Sequence, residues 1–198
     1  MQIIISFIVI AVGLAIYVIF IYNSLVKKRQ MVDNGWSDIA VQLKRRAELI
    51  PNIVSAVKAY ARHERQLFEE ISEKRTQALA AGDDAARRGK AETALSQPVS
   101  KLFALAEDYP DLKANTAFLD LQNELAETED KIEMARRFFN GAVRELNIGV
   151  RQFPASIIAS AFGFRVRDFF EIAASDVIVP SVDFNAEADN GSTQGPGA

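Results

Sequence analysis

Residues 3–22 read IIISFIVIAVGLAIYVIFIY, a run of roughly 20 residues without a charge, in which Ser6 is the clearly polar member. Coiled as a helix at about 1.5 Å per residue, this run spans a hydrocarbon core of ~30 Å. Inside lipid each backbone N–H and C=O must find its partner within the segment, so a lone span of this length has to be an α-helix. A cleaved signal peptide calls for a basic leader, a shorter apolar stretch and a small-x-small cleavage site. Here Met1 and Gln2 precede the run, and Tyr22-Asn23-Ser24-Leu25 is a poor cleavage sequence. The expectation is therefore a retained transmembrane anchor, with Ile3, Phe7, Val12, Ile16, Phe20 and Tyr22 among its lipid-facing residues.

Positive charge follows on one side, as Lys27, Lys28 and Arg29, and again as Lys44, Arg45 and Arg46. The positive-inside rule places that side in the cytoplasm, and with it the rest of the chain. If the anchor continues perpendicular to the bilayer, the second trio stands about 25 Å beyond the first, well past a Debye length. Lys27, Lys28 and Arg29 are thus the basic lipid-facing flank, and residues 44–46 belong to ion pairs within the folded part.

The remaining chemistry is narrow. With no Cys, thiolate metal centres and thiol catalysis are excluded, and His63 is the single histidine of 198 residues. A zincin helix needs a second His four residues after the first, and position 67 is Leu67. A di-iron bundle needs a Glu-x-x-His pair on each of two helices, which one His cannot supply. No glycine-rich phosphate loop is present, and a net charge of −3 gives no basic field for nucleic acid. The reading is no metal, no cofactor and no catalytic residue.

Beyond the anchor the apolar pattern is helical throughout. Trp36, Ile39, Leu43, Ala47, Ile50, Val54, Val57, Ala61, Phe68 and Ile71 recur every three or four residues, predicting one long helix over about 32–81, with a kink or break near 47–50 imposed by Pro51. Gly82 and Asp84 mark a turn; a second helix over 84–106 has Leu102, Phe103 and Leu105 as core candidates, and Pro98 as a point of interruption or restart. Tyr109-Pro110 stops and restarts the chain. Phe118, Leu121, Leu125, Thr128, Ile132, Ala135, Phe139, Ala142, Leu146, Gly149 and Phe153 then alternate three and four apart over about five heptads. The small members Ala135, Ala142 and Gly149 predict the closest helix approach at that end. Phe153-Pro154 breaks the seam and opens a short helix to about 162.

Two polar stripes flank the seam. Gln122, Glu129 and Arg136, with Arg46 on the first helix, are candidates for pairs across helices that fix register; Asn140 and Asn147 share an outer stripe with no partner evident. The Phe-rich end, Phe153, Phe162, Phe164, Phe169 and Phe170, either caps the bundle or forms a contact with lipid or a second subunit. After 172 the chain turns acidic and rich in Gly and Ser, with 176–182 able to extend and the residues beyond about 184 expected to be a flexible tail. The fold class is all-α: an anchor and basic flank (1–29), an antiparallel, four-helix-bundle-like domain of long helices (30–172), and the tail (173–198).

Several motifs in order, Trp36-Ser37-Asp38-Ile39-Ala40-Val41-Gln42-Leu43, Leu49-Ile50-Pro51-Asn52-Ile53-Val54, Glu107-Asp108-Tyr109-Pro110-Asp111, Leu121-Gln122-Asn123-Glu124-Leu125 and Ala135-Arg136-Arg137-Phe138-Phe139-Asn140, resemble the LemA family of bacterial membrane proteins. Phe139 stands where the family usually places Tyr, and Ala47 where a larger residue is common. The resemblance implies a single-pass protein of the bacterial inner membrane with a helical bundle and no established catalytic activity. Two functions are compatible with it: a self-assembling, homo-oligomeric scaffold that organises or shapes the membrane, and a membrane-bound adaptor that recruits a partner such as a protease or quality-control factor.

Overall fold

The computed structural model describes residues 1–172; the readings of 176–182 and of the tail lie outside the described residues. Six helices follow in order: α1 (Gln2–Lys58), α2 (Arg65–Ala80), α3 (Ala85–Glu107), α4 (Pro110–Lys113), α5 (Thr116–Arg151) and α6 (Ala155–Ala161). The chain then runs without regular structure from 164 to 172.

At 57 residues, α1 is about 85 Å long. It carries the apolar span, largely exposed, with Ile21 and Tyr22 at its end packed against the α6 region, and continues directly into the helical bundle. Burial begins at Leu25 and recurs at Val32, Ile39, Leu43, Ala47, Ile50, Ile53 and Val57, the predicted face.

The break predicted near 47–50 is not there. Pro51 sits inside α1 on an exposed face, and its missing N–H leaves the Ala47 carbonyl without an intrahelical donor. Arg75 of α2 supplies one, its Nε donating to that carbonyl at 2.5 Å. The break falls instead at 59–64, where Ala61 is buried and five consecutive polar residues, Arg62-His63-Glu64-Arg65-Gln66, offer nothing to a buried face. Val57 O accepts from both Tyr60 N–H and Ala61 N–H as the helix tightens and ends. Pro98, likewise, is buried within an uninterrupted α3.

Caps follow local chemistry. Gly82 takes the left-handed conformation (φ 70°) at the α2–α3 turn, and Asp84 Oδ1 accepts from Arg87 N–H at 2.7 Å. Asn115 Oδ1 accepts from Ala117 N–H (3.0 Å) and Phe118 N–H (3.3 Å), opening α5.

Three pairings fix the main axis. Lys28 meets Glu145, whereas Arg45 and Arg46, about 17 residues further along α1, meet Glu124 and Glu129, so the two helices are antiparallel. Every residue of the α5 seam is buried or half-buried except Phe153, which lies beyond the helix end and is exposed. At the end far from the anchor, α1, α2, α3 and α5 surround one core containing Ile53, Phe68, Leu102, Phe103, Phe118 and Leu125. Toward the apolar span α1 and α5 pack through Val32, Ile39, Ile132, Phe139 and Leu146, Ala85 of α3 lies against them, and Phe170 closes the open side. The expected four-helix layout is thus confined to the distal part.

The Arg75 bond gives a sharp test of the proline site. Arg75→Leu should destabilise the fold by about 1–3 kcal/mol by leaving a carbonyl unmet. In a Pro51→Ala background, which restores the backbone donor, the same substitution should cost markedly less; equal costs in chemical denaturation of the two backgrounds would show that the proline and the arginine are not coupled.

Candidate functional site

Two groupings of side chains stand out from packing alone. The first is in the bundle. Arg46, 1% exposed, directs Nη1 to Glu92 Oε2 (3.3 Å) and donates from Nη2 to Ser96 Oγ (2.7 Å). Its Nε is 2.8 Å from Glu129 Oε1, with the N–H turned aside, so this contact is an ion pair rather than an aligned hydrogen bond. Arg88 Nε donates to the other oxygen of Glu92 at 2.9 Å, and Ser96 Oγ donates to the Glu92 carbonyl at 3.0 Å. One guanidinium therefore joins α1, α3 and α5, with two arginines balancing two carboxylates. Removing one partner of a buried pair costs about 3–5 kcal/mol because the other charge is stranded. Burial pushes the Glu129 carboxyl above the ordinary range; Arg46 pulls it down, and Glu92 and Asp130 add to the rise.

Of the four residues predicted to pair across helices, Arg46 and Glu129 do so. Gln122 is buried on the same stripe. Arg136 departs from the expectation: it donates to the Ile172 carbonyl at 3.1 Å and so holds the chain's extended segment. Glu92, the charge most deeply engaged with Arg46, was not singled out in the sequence, since a lone Glu in a polar, Ala-rich helix carries no pattern.

The second grouping lies where α1 leaves its apolar span. Tyr22 meets Phe162 and Phe164 edge-on at 4.9 and 5.7 Å, the Arg29 guanidinium lies 5.6 Å from the centre of the Phe164 ring, and Leu25, Ala159 and Phe164 form a small core. Lys28 pairs with Glu145 at 2.8 Å, which holds that carboxyl below its usual range. A Cβ on Gly149 would come within 3.2 Å of Leu25 Cδ2, so the small end of the seam is indeed the close approach.

From Gly163 (φ 72°) the chain reverses and runs back along α5. Asn147 accepts from Arg167 N–H (2.8 Å) and donates to the Arg167 carbonyl (2.9 Å); Asn140 does the same for Phe170 (2.9 and 3.0 Å). Two side-chain amides seven residues apart thus replace the partner strand that an extended backbone lacks. Arg167 also reaches Asp33 at 3.3 Å, and a Cβ on Gly89 would strike the Glu171 carbonyl at 2.2 Å, so α3 touches this strap as well. Where the α2–α3 turn meets it, Trp36, Asp84, Arg167 and Asp168 line a cleft of about 330 Å³.

The five phenylalanines divide. Phe164 and Phe170 are buried, the latter meeting Trp36 edge-on at 5.7 Å, which removes them from any external contact. Phe153, Phe162 and Phe169 are exposed. Lys27 and Arg29 are exposed on the flank, while Lys28 is drawn into its pair with Glu145.

A helix able to cross a bilayer by its length and composition, continued unbroken into an antiparallel bundle and closed by a clamped strap, defines a helical-bundle protein with one candidate membrane helix among the described residues. The chain belongs to the LemA family, whose pattern matches residues 35–184. It is 24% identical over 189 residues to magnetosome protein MamQ of Magnetospirillum gryphiswaldense, covering 81% of this chain and 70% of that one. It is 23% identical over 175 residues to magnetosome protein MamQ 1 of Paramagnetospirillum magneticum, covering 76% of this chain. That match spans 64% of the relative's own length, slightly under two thirds.

Two outcomes are expected. Because the folded chain keeps a proton on Glu129 that the unfolded chain has already released, stability relative to Glu129→Gln should fall as pH rises from the ordinary carboxylate range through the raised value, then level off. Denaturation of both proteins across pH reads this directly; a relative stability that rises over that interval would contradict the burial argument. Asn140→Ala should speed hydrogen exchange of the Phe170 amide about tenfold, with the amides of the distal core unaffected.

Proposed function

We propose that this protein is a membrane-anchored, non-enzymatic scaffold whose copies associate side by side and organise the bilayer that holds them. The anchor lies in the bacterial inner membrane with the bundle on the cytoplasmic side, following the basic flank. The observation that carries the reading is a second stripe on α5. Met134, Phe138, Gly141 and Ile148 follow the same alternating three-and-four spacing as the inward seam, each one residue before a seam member and so about 100° round the helix from it. Met134, Phe138 and Ile148 are 61%, 47% and 49% exposed, and a Cβ on Gly141 would meet nothing within 4 Å. Glu145, the charged residue in that row, is already paired with Lys28.

The occupant that fits is a second copy. Anchors sharing one bilayer stand parallel, which brings the α5 helices of neighbours side by side at equal height, and small residues allow close approach. The names of the MamQ relatives, magnetosome proteins, agree with a task in membrane organisation.

Light scattering and electron microscopy of the full-length chain in lipid nanodiscs or mild detergent test this. A discrete oligomer is expected, and Met134→Glu with Phe138→Glu should reduce it to monomers with unchanged helix content. A wild-type chain that stays monomeric would sink the scaffold and favour the adaptor, for which deletion of 185–198 should abolish capture of the partner.

A further inference from the structure

The α5 stripe leaves one exposed apolar group unexplained. Phe153 is 77% exposed, Ile157 60% and Phe162 57%, all on α6 or at its ends, in a segment only about 10 Å long. These side chains belong to none of the buried clusters. Their position along the molecule is fixed by Tyr22, the last residue of the apolar span, whose ring touches Phe162 at 4.9 Å. The group therefore sits beside the exit point of the anchor, at the level where hydrocarbon gives way to headgroups.

Cations dominate the charge around it, with Glu145, paired with Lys28, the carboxylate at that level. No acidic residue occurs from 146 to 167, whereas Arg151 and Arg165 do, both exposed; Lys27 and Arg29 on α1 are exposed at the same level. An apolar patch bordered by cations and continuous with a membrane span matches the acyl–phosphate boundary of an anionic leaflet.

We infer that Phe153, Ile157 and Phe162 form a foot that inserts into the headgroup region of the leaflet from which α1 emerges, a second lipid contact offset from the anchor. The foot rests on the reading of α1 as a transmembrane anchor and is independent of self-assembly. Through the core of Leu25, Ala159 and Phe164 it is fastened to α1, so both contacts act on one rigid piece.

The chain has no Cys, so single-cysteine variants of the full-length protein report one position each. Spin labels at Ile157→Cys, at Ile10→Cys in the span and at Arg62→Cys on the exposed distal corner would be compared in phosphatidylethanolamine–phosphatidylglycerol nanodiscs. Oxygen, which enters lipid, and a water-soluble nickel chelate serve as collision probes. The label at 157 should show a ratio of oxygen to nickel collisions shifted from the value at 62 toward that at 10. Adding Phe153→Ser and Phe162→Ser should return it to the value at 62 while position 10 stays unchanged. A label at 157 as open to nickel as that at 62, with position 10 still in lipid, would overturn the foot alone. Shielding from both probes would overturn it in favour of a protein contact, and a water-exposed label at 10 would remove the anchor reading itself.

Discussion

The guanidinium of Arg46 is the interaction on which the arrangement of the bundle turns. Apolar seams attract helices to one another but tolerate a slip of one turn, because the next apolar row offers nearly equal burial. A buried cation does not tolerate it. Displacing α5 by a turn would take Glu129 away from Arg46, and displacing α3 would remove Glu92 and Ser96, leaving charge in the core at several kcal/mol. Arginine suits the position because its planar fork addresses three partners on two other helices at once.

Much of this architecture was legible in the order of residues. The long apolar helix, the α5 seam, the Asp84 cap and the Gly82 turn are local or periodic features, and each is found where its pattern placed it. What escaped prediction depends on contacts between distant segments. Pro51 reads as a breaker until Arg75, from another helix, satisfies the carbonyl it orphans. Asn140 and Asn147 read as an idle stripe because their partners are backbone atoms of residues 167 and 170, which carry no side-chain signature. The Phe-rich end reads as one group, yet the turn at Gly163 sends Phe164 and Phe170 inward and leaves the others outside.

The strap explains how so slender a stem persists near the membrane. Two helices alone bury one line of side chains each, and between the α6 contact at Leu25 and the α3 tie at Arg46 the α1–α5 pair has little helical cover beyond Ala85 at the start of α3. Phe170 supplies the missing cover, wedged against Trp36, while paired amide bonds hold its backbone. A helix in the same place would be self-sufficient in hydrogen bonds but about 10 Å wide. The extended chain is thinner, and it leaves the outer face of α5 free.

The continuity of α1 has a mechanical meaning. A single helix links the apolar span to the distal core, with some 36 residues, about 54 Å, projecting beyond Tyr22. Spans longer than the local hydrocarbon thickness tilt to fit it. Since no joint intervenes, a tilt of about 10° in the lipid swings the far end by roughly 9 Å. With α1 read as the membrane anchor, the bundle is in effect the pointer of a gauge whose needle is seated in the membrane, and bilayer thickness sets the angle at which it stands.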